Sequence, residues 1–503
     1  MQKESEKFDV AHLARGLTTR LFKGGATNLF AQFASTVISL LSVVILARIL
    51  RPQDFGLVAM VTGITGVLHI FKDAGLASVT VQRSEISHDQ VSNLFWLNTG
   101  FNTLLSILIV LLAPLLERFY GEPEVRSITV AVGVIFFLGG LTIQHRALLQ
   151  RQMQFLELAI ITLISQAVAL IAAILAALAG FGYWALVVQM AVSQVLFAII
   201  TLIITRWLPG RPRRGLGTWE MVRFGGYLTG FSFLNYFARN FDRVLIGRVW
   251  GDSALGFYAK AYALLLLPIH QVNGPINEVA TPALSRLQHD SKEFRRTFVA
   301  ILNAVCFLTF PLIAWLIVVR EEIILLLLGP QWEQVIPIFT ALAASAFFQP
   351  VGNITGVLYI ALGRAQRMFW WGVISSIWIV LAFLVGIRFG PVGVAVAYST
   401  AIFLIIVPLI LFGIHGTPIK LIDYWRASRV TVYVTIVSGL AASGVKMFFA
   451  ASKPDLVNIL LVTLTFGFCF LGLYSLISPE IFKRSLDILM KRAGSSSEST
   501  REC

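Results

Sequence analysis

Arg239, Asn240, Asp242 and Arg243 crowd into one short stretch of an otherwise apolar run, and Lys260 stands in the next such run. A charge at mid-bilayer costs about 2.5–3.5 kcal/mol on insertion scales, so residues of this kind face a cavity or a partner rather than lipid. Two arrangements are open. Asp242 can pair with Arg239 at i,i+3 and simply neutralise it. Alternatively, because Arg243 and Lys260 are then left over, Arg239, Asp242, Arg243 and Lys260 line a cavity with excess positive charge, suited to an anionic ligand. Counting from the expected helix starts puts all four in the outer half of their helices. Asp73, Asn273 and Glu278 are weaker candidates at the opposite helix ends. Lys72 and Arg83, near Asp73, read as structural or solvated. Gln144-His145-Arg146 and Arg151 bound a short connection and read as topological. Trp250, Tyr258 and Tyr262 read as an interfacial aromatic belt or as sugar-stacking platforms.

Bond-making chemistry is not legible. The chain has no phosphate-cradling loop ending in Gly-Lys, no paired-His zinc helix and no nucleophile elbow. Its seven histidines lack ligand spacing, and its three cysteines form no framework. No catalytic residue, metal or cofactor is expected, and the chain reads as a non-enzyme.

The elements that carry these residues are membrane helices. Of the 503 residues 57% are hydrophobic and 13% charged, and mean hydropathy is +0.80. These values are far from soluble averages. Fourteen apolar segments of spanning length are expected, centred near residues 38, 66, 104, 136, 167, 194, 236, 266, 308, 346, 376, 402, 438 and 467. In a soluble chain the net charge of +14 would point to nucleic acid. Here 28 of the 40 Lys and Arg fall in the N-terminal tail and the even-numbered connections, so the charge marks a side of the membrane. By the positive-inside rule that side is the cytoplasm, and both termini lie there. Arg211-Pro212-Arg213-Arg214 and Arg295-Arg296 are then anchors to anionic lipid.

The chain also repeats itself. Ala47-Arg48-Ile49, Phe55-Gly56 and Ala59 return 200 positions later as Gly247-Arg248-Val249, Leu255-Gly256 and Ala259. The same register sets Asp73 opposite Asn273. A fixed-period match marks a duplicated unit. Each copy holds six helices, an even number, so both enter the membrane from the same side and are parallel repeats. The expected fold is all-α and integral to the membrane. It has a tail (1–19), an N-lobe (20–207), a basic linker (208–218), a C-lobe (219–414), a C-terminal helix pair (415–477) and a cytoplasmic tail (478–503). That last tail opens on an amphipathic basic stretch, Ile481 to Arg492.

Several motifs carry a family resemblance. Arg51-Pro52-Gln53-Asp54-Phe55-Gly56 with Asp73-Ala74-Gly75-Leu76 and Val81-Gln82-Arg83 resembles the N-terminal pattern of Wzx-type polysaccharide flippases. So do Asn93-Leu94-Phe95-Trp96 and the run from Arg146 to Phe155. Phe241-Asp242-Arg243-Val244-Leu245-Ile246-Gly247, Leu255-Gly256-Phe257-Tyr258 and the run from Thr281 to Arg286 resemble that family's second signature. The resemblance covers roughly residues 20–410 and is strongest to the branch that exports colanic-acid-like and other exopolysaccharide units. It implies the multidrug/oligosaccharidyl-lipid/polysaccharide exporter fold, two six-helix lobes plus a C-terminal pair. It implies as substrate an undecaprenyl-diphosphate-linked oligosaccharide, turned between leaflets of a bacterial inner membrane by alternating access. Membrane lipids and polysaccharide polymerase or assembly proteins are the expected partners, and nucleic acid is not. The rival readings are a drug antiporter of the same fold, which needs acidic residues for organic cations, and a membrane polymerase or ligase, which needs a long outer loop.

Overall fold

The computed structural model describes residues 17–72, 76–83, 85–213, 218–449 and 456–479. The described residues form helices and no strand. In chain order these are α1 (Leu17–Ile49), α2 (Pro52–Phe71), α3 (Leu76–Gln82), α4 (His88–Tyr120), α5 (Pro123–Leu141), α6 (Ile143–Arg151), α7 (Phe155–Leu178), α8 (Trp184–Thr205) and α9 (Thr218–Arg286). They continue with α10 (Ser291–Val318), α11 (Arg320–Leu328), α12 (Val335–Ala346), α13 (Gln349–Ala361), α14 (Ala365–Gly386), α15 (Gly390–Ile414), α16 (Leu421–Phe449) and α17 (Leu456–Ile477). The amphipathic stretch expected at 481–492 lies outside the described residues.

The protein is a multi-pass membrane protein. Among the described residues, ten stretches are long and apolar enough to cross a bilayer, and one of these, Gln366–Ile414, spans both α14 and α15. The three other expected segments, near 66, 236 and 266, fall on α2 and on the two arms of α9. All fourteen expected segments thus coincide with helices. Their outer faces carry Leu, Ile and Phe, among them Leu104, Leu111, Leu175 and Phe468, all exposed. In water such a surface would aggregate; against lipid it needs no cover.

Local chemistry sets the helix ends. Ser87 and Gln90 close a reciprocal capping box at the start of α4, with Gln90 N donating to Ser87 Oγ at 3.2 Å and Ser87 N to Gln90 Oε1 at 3.0 Å. Pro52 opens α2, and Asp54 accepts from the Arg51 N–H at 2.8 Å. Asp290 caps α10 through two backbone N–H groups, each at 3.1 Å. Helix α9 bends at Gly251, whose φ of 82° is open to glycine and strained for other residues. Its two arms, 218–250 and 252–286, match α1 and α2 in the 200-residue register: Ile49 ends the first hairpin arm as Val249 nears the end of its counterpart.

By contacts the chain divides into two units, 1–259 and 260–503. In the first, α1 packs on α7 and α8, where Ser35 Oγ donates to Gln166 Oε1 at 2.8 Å and Gln189 Nε2 to Ser42 Oγ at 2.7 Å. The repeat is visible here as a two-way contact. A Cβ on Gly56 would overlap the backbone carbonyl of Asp252, and a Cβ on Gly256 would overlap that of Pro52. Residue 56 therefore meets 252 as residue 256 meets 52. Such reciprocity is the signature of a two-fold-related contact.

The second unit is built around α10. Phe294, Phe298, Leu302 and Cys306 pack with residues of α13, α15 and the start of α16, while Phe307 and Val318 pack with Val434, Val462 and Phe466 of the C-terminal pair. Polar contacts fasten α16 near both of its ends. Arg295 holds Asp423 through two bonds, at 2.8 and 2.6 Å, and Lys446 holds Glu322 at 2.9 Å. Helix α16 is thus bolted to α10 and α11.

Candidate functional site

Asp242 is buried in the first arm of α9. Its Oδ2 accepts from the Tyr258 hydroxyl at 2.7 Å, across the bend at Gly251, and its Oδ1 from the Arg243 N–H at 2.8 Å. Tyr258 is fully buried, so its expected place in an interfacial belt is corrected. Its apolar ring fills the core and its hydroxyl satisfies a buried carboxyl group. Arg243 leaves α9 toward α2, where its Cβ stands 3.7 Å from the point at which a side chain on Gly63 would begin. The side chains of Arg239 and Glu278, and all of Asp73, lie outside the described residues. Lys260, the first residue of the second unit, is buried, as is Asn273, whose Nδ2 has no hydrogen-bond partner among the described residues.

A cavity of about 590 Å³ lies within the first unit between α2, α3, α5, α6, α7 and α8. Lys72 and Arg146 supply its charge, with His69, Gln150, Thr162, Ser165, Gln166, Ser193 and Gln194 as polar lining. Among the described residues, none that lines it is Asp or Glu. The Lys72 ammonium lies at the point a Cβ on Gly139 would occupy, near Gln194 Oε1, and 5.8 Å from the centre of the Phe136 ring. Asn102 Nδ2 fixes the end of α2 by donating to the Lys72 carbonyl at 2.8 Å. Gly140 leaves room for that asparagine.

Lys72 and Arg146 were not among the expected site residues, and their neighbours explain why they are hard to pick out. Gln144, His145 and Arg151 belong to helix α6 and are buried, which corrects their reading as connection residues. Gln144 Oε1 accepts from Thr80 at 2.7 Å, His145 Nδ1 bonds Thr205 Oγ1 at 2.9 Å, and Arg151 Nη1 donates to the carbonyls of Thr80 and Arg83 at 3.0 and 2.5 Å. This scaffold leaves Arg146, alone of the four, turned to the cavity and exposed. The helical spacing that separates Arg146 from its buried neighbours was the available signal.

Arg213 also does more than face lipid. Its guanidinium pairs with Asp89 at 2.6 Å, and its main chain exchanges two bonds with the Asn93 side chain, at 2.8 and 2.6 Å. With Trp96 Nε1 donating to the Gly210 carbonyl at 2.8 Å, the segment from Trp207 to Arg213 is strapped along the start of α4.

Comparison with known proteins defines the class first. The lipid II flippase MurJ in its inward closed conformation matches over 90% of this chain and 98% of its own, with a TM-score of 0.70 at 16% identity. An inward-facing multidrug resistance MATE family transporter of the MOP superfamily matches over 75% and 93%, with a TM-score of 0.57 at 12% identity. The fold is like that of these two transporters. Residues 45–337, more than half of the chain, match the polysaccharide biosynthesis protein family, and the chain belongs to it. Among its relatives, the lipopolysaccharide biosynthesis protein WzxC of Escherichia coli (strain K12) is 26% identical over 391 residues, 76% of this chain and 78% of that protein. The teichuronic acid biosynthesis protein TuaB of Bacillus subtilis (strain 168) is 25% identical over 446 residues, 86% and 90% of the two chains. The succinoglycan biosynthesis transport protein ExoT of Rhizobium meliloti (strain 1021) is 26% identical over 339 residues, 67% and 68%.

Proposed function

We propose that this protein is a flippase that carries undecaprenyl-diphosphate-linked oligosaccharide units across a bacterial inner membrane for exopolysaccharide, O-antigen or capsule assembly. It acts by binding and alternating access and makes no bond. The observation that carries this reading is family membership over residues 45–337, on a fold that matches a lipid II flippase along nearly its whole length. The electrostatics agree. A diphosphate leaving water needs cationic partners in a low-dielectric setting, and Arg presents a fork of donors suited to it. Arg239, Arg243 and Lys260 are the residues assigned to that task at the outer depth, with Asp242 setting their net charge, and Asp73, Asn273 and Glu278 are secondary.

In this reading residues 20–207 and 219–414 act as the two lobes, with both termini cytoplasmic. The paired crossings at Gly56 and Gly256 seal the extracytoplasmic ends of the repeat-related hairpins. Rocking of one lobe on the other opens and closes that seal. The drug-antiporter reading is weaker because the cavity of the first unit carries Lys72 and Arg146, and among the described residues its lining holds no carboxylate for an organic cation.

The test is genetic. In a strain lacking the protein, Arg243→Ala should accumulate in the membrane at normal level yet fail to restore polysaccharide export, and Arg243→Lys should restore part of it. Normal export from the Arg243→Ala, Lys260→Ala pair would remove both residues from the substrate path.

A further inference from the structure

We propose that the cavity between α2, α3, α5, α6, α7 and α8 is an anion site in its own right, separate from Arg243, and that its ligand is a phosphate or diphosphate ester. The inference rests on the flippase reading only for where such a ligand comes from; the chemistry of the site stands without it.

Three features point to an anion. Lys72 and Arg146 both line the cavity, and no lining residue among the described residues is a carboxylate that could neutralise them. Two of the polar groups in the lining can act as donors. Gln166 has its carbonyl oxygen engaged by Ser35, so its amide N–H groups are what it can offer a ligand. Ser165 is buried in the lining, and its hydroxyl has no hydrogen-bond partner among the described residues. A buried polar atom left in this state costs free energy unless a bound group satisfies it. Finally, the ammonium is placed rather than merely present. Gly139 provides the space it occupies, Gln194 stands beside that space, and Asn102 anchors the Lys72 backbone.

The size fits. At about 590 Å³ the cavity falls within the range of small-ligand pockets and exceeds what a diphosphate alone would fill. The exposed Arg146 stands at its open part, so a ligand can enter with its anionic group while the rest stays outside.

The experiment is calorimetric titration of the purified full-length protein with two probes, inorganic pyrophosphate and farnesyl diphosphate. Pyrophosphate should bind saturably. Lys72→Gln and Arg146→Gln should each weaken it by about tenfold or more, the loss of one charge-assisted contact. Gly139→Ala keeps both charges but drives the ammonium from its place, and it should weaken binding as well. Arg126→Gln, which removes an exposed charge paired with Glu117 and outside the cavity lining, should leave pyrophosphate affinity unchanged within about twofold. Where Lys72→Gln lowers the melting temperature, Lys72→Arg supplies the control and should bind. Tighter binding of farnesyl diphosphate than of pyrophosphate identifies the ligand as a lipid headgroup; equal or weaker binding identifies a free phosphate compound. Absence of saturable pyrophosphate binding, or wild-type affinity in the Lys72→Gln, Arg146→Gln double variant, overturns the proposal whatever happens to export. Conversely, a strain lacking the protein that accumulates no lipid-linked oligosaccharide would defeat the flippase reading and leave the anion site standing.

Discussion

Gly56 packs its backbone against the carbonyl of Asp252, and 200 positions on, Gly256 does the same against Pro52. The obstacle at each glycine is main chain, which cannot swing aside as a side-chain end can. Gly247 differs: a Cβ there would meet side-chain atoms of Tyr120, Leu255 and Met60 at 3.0–3.2 Å. Gly56→Ala and Gly256→Ala should therefore each destabilise the protein by about 1–3 kcal/mol, the range for overpacking. Gly247→Ala should cost less. Thermal melting of the three purified variants checks the order, and equal melting of all three would contradict the close crossing.

A second prediction concerns Asp242. Tyr258→Phe removes a donor from a buried carboxyl group and should cost about 1–3 kcal/mol, with lower abundance in the membrane. Asp242→Asn keeps an oxygen for the tyrosine and should be milder. If Tyr258→Phe melts like the wild type, the hydrogen bond contributes nothing.

The fold was legible well beyond the site, for identifiable reasons. Apolar length marked all fourteen segments, and the 200-residue register predicted that Gly56 and Gly256 would occupy equivalent places. That register could not reveal that the two glycines make one reciprocal contact, because a sequence match gives equivalence and not proximity. The cationic run at 239–243 stood out because charge is rare in apolar helices. Lys72 and Arg146 did not, because each sits near a helix end, where charge is ordinary. Only the packing of Gly139 and Asn102 around Lys72 sets it apart from a solvated lysine. Tyr258 looked interfacial beside Trp250 because its partner Asp242 lies 16 positions away, across the bend of α9.

The bolts on the C-terminal pair give a third prediction. Glu322 is buried against Lys446, so Lys446→Met should strand a buried carboxylate and destabilise the protein, by about 1–3 kcal/mol. Lys446→Met, Glu322→Leu should recover much of the loss, since replacing both partners by apolar groups is close to neutral. Melting of the single and double variants decides it; equal melting of both would show that the pair is not coupled.

A fourth prediction is pH dependence at a connection outside the membrane spans. Partial desolvation holds the Glu122 carboxyl above the usual carboxylate range, and the nearby carboxylates of Asp252 and Glu124 add to the rise. The folded protein thus keeps this proton to higher pH than the unfolded chain does. Its stability increases as pH falls through the folded value toward the ordinary one, and the charged form is at a disadvantage above both. Glu122→Gln lacks the penalty. The melting temperature of Glu122→Gln should therefore gain on the wild type as pH rises from acid to neutral, and a constant difference across that range would refute the account.

The central claim is that the protein moves a lipid-linked oligosaccharide between leaflets. The most direct measurement reconstitutes the purified protein into vesicles that carry a labelled polyprenyl-diphosphate oligosaccharide in both leaflets. A membrane-impermeant reagent then modifies the sugars it can reach. Protein-free vesicles expose only the outer-leaflet pool. With the protein present, nearly all of the label should become reactive over time, and the Arg243→Ala, Lys260→Ala pair should return the reactive fraction to the protein-free level. A reactive fraction that stays at the protein-free level in the presence of folded wild-type protein would contradict the claim.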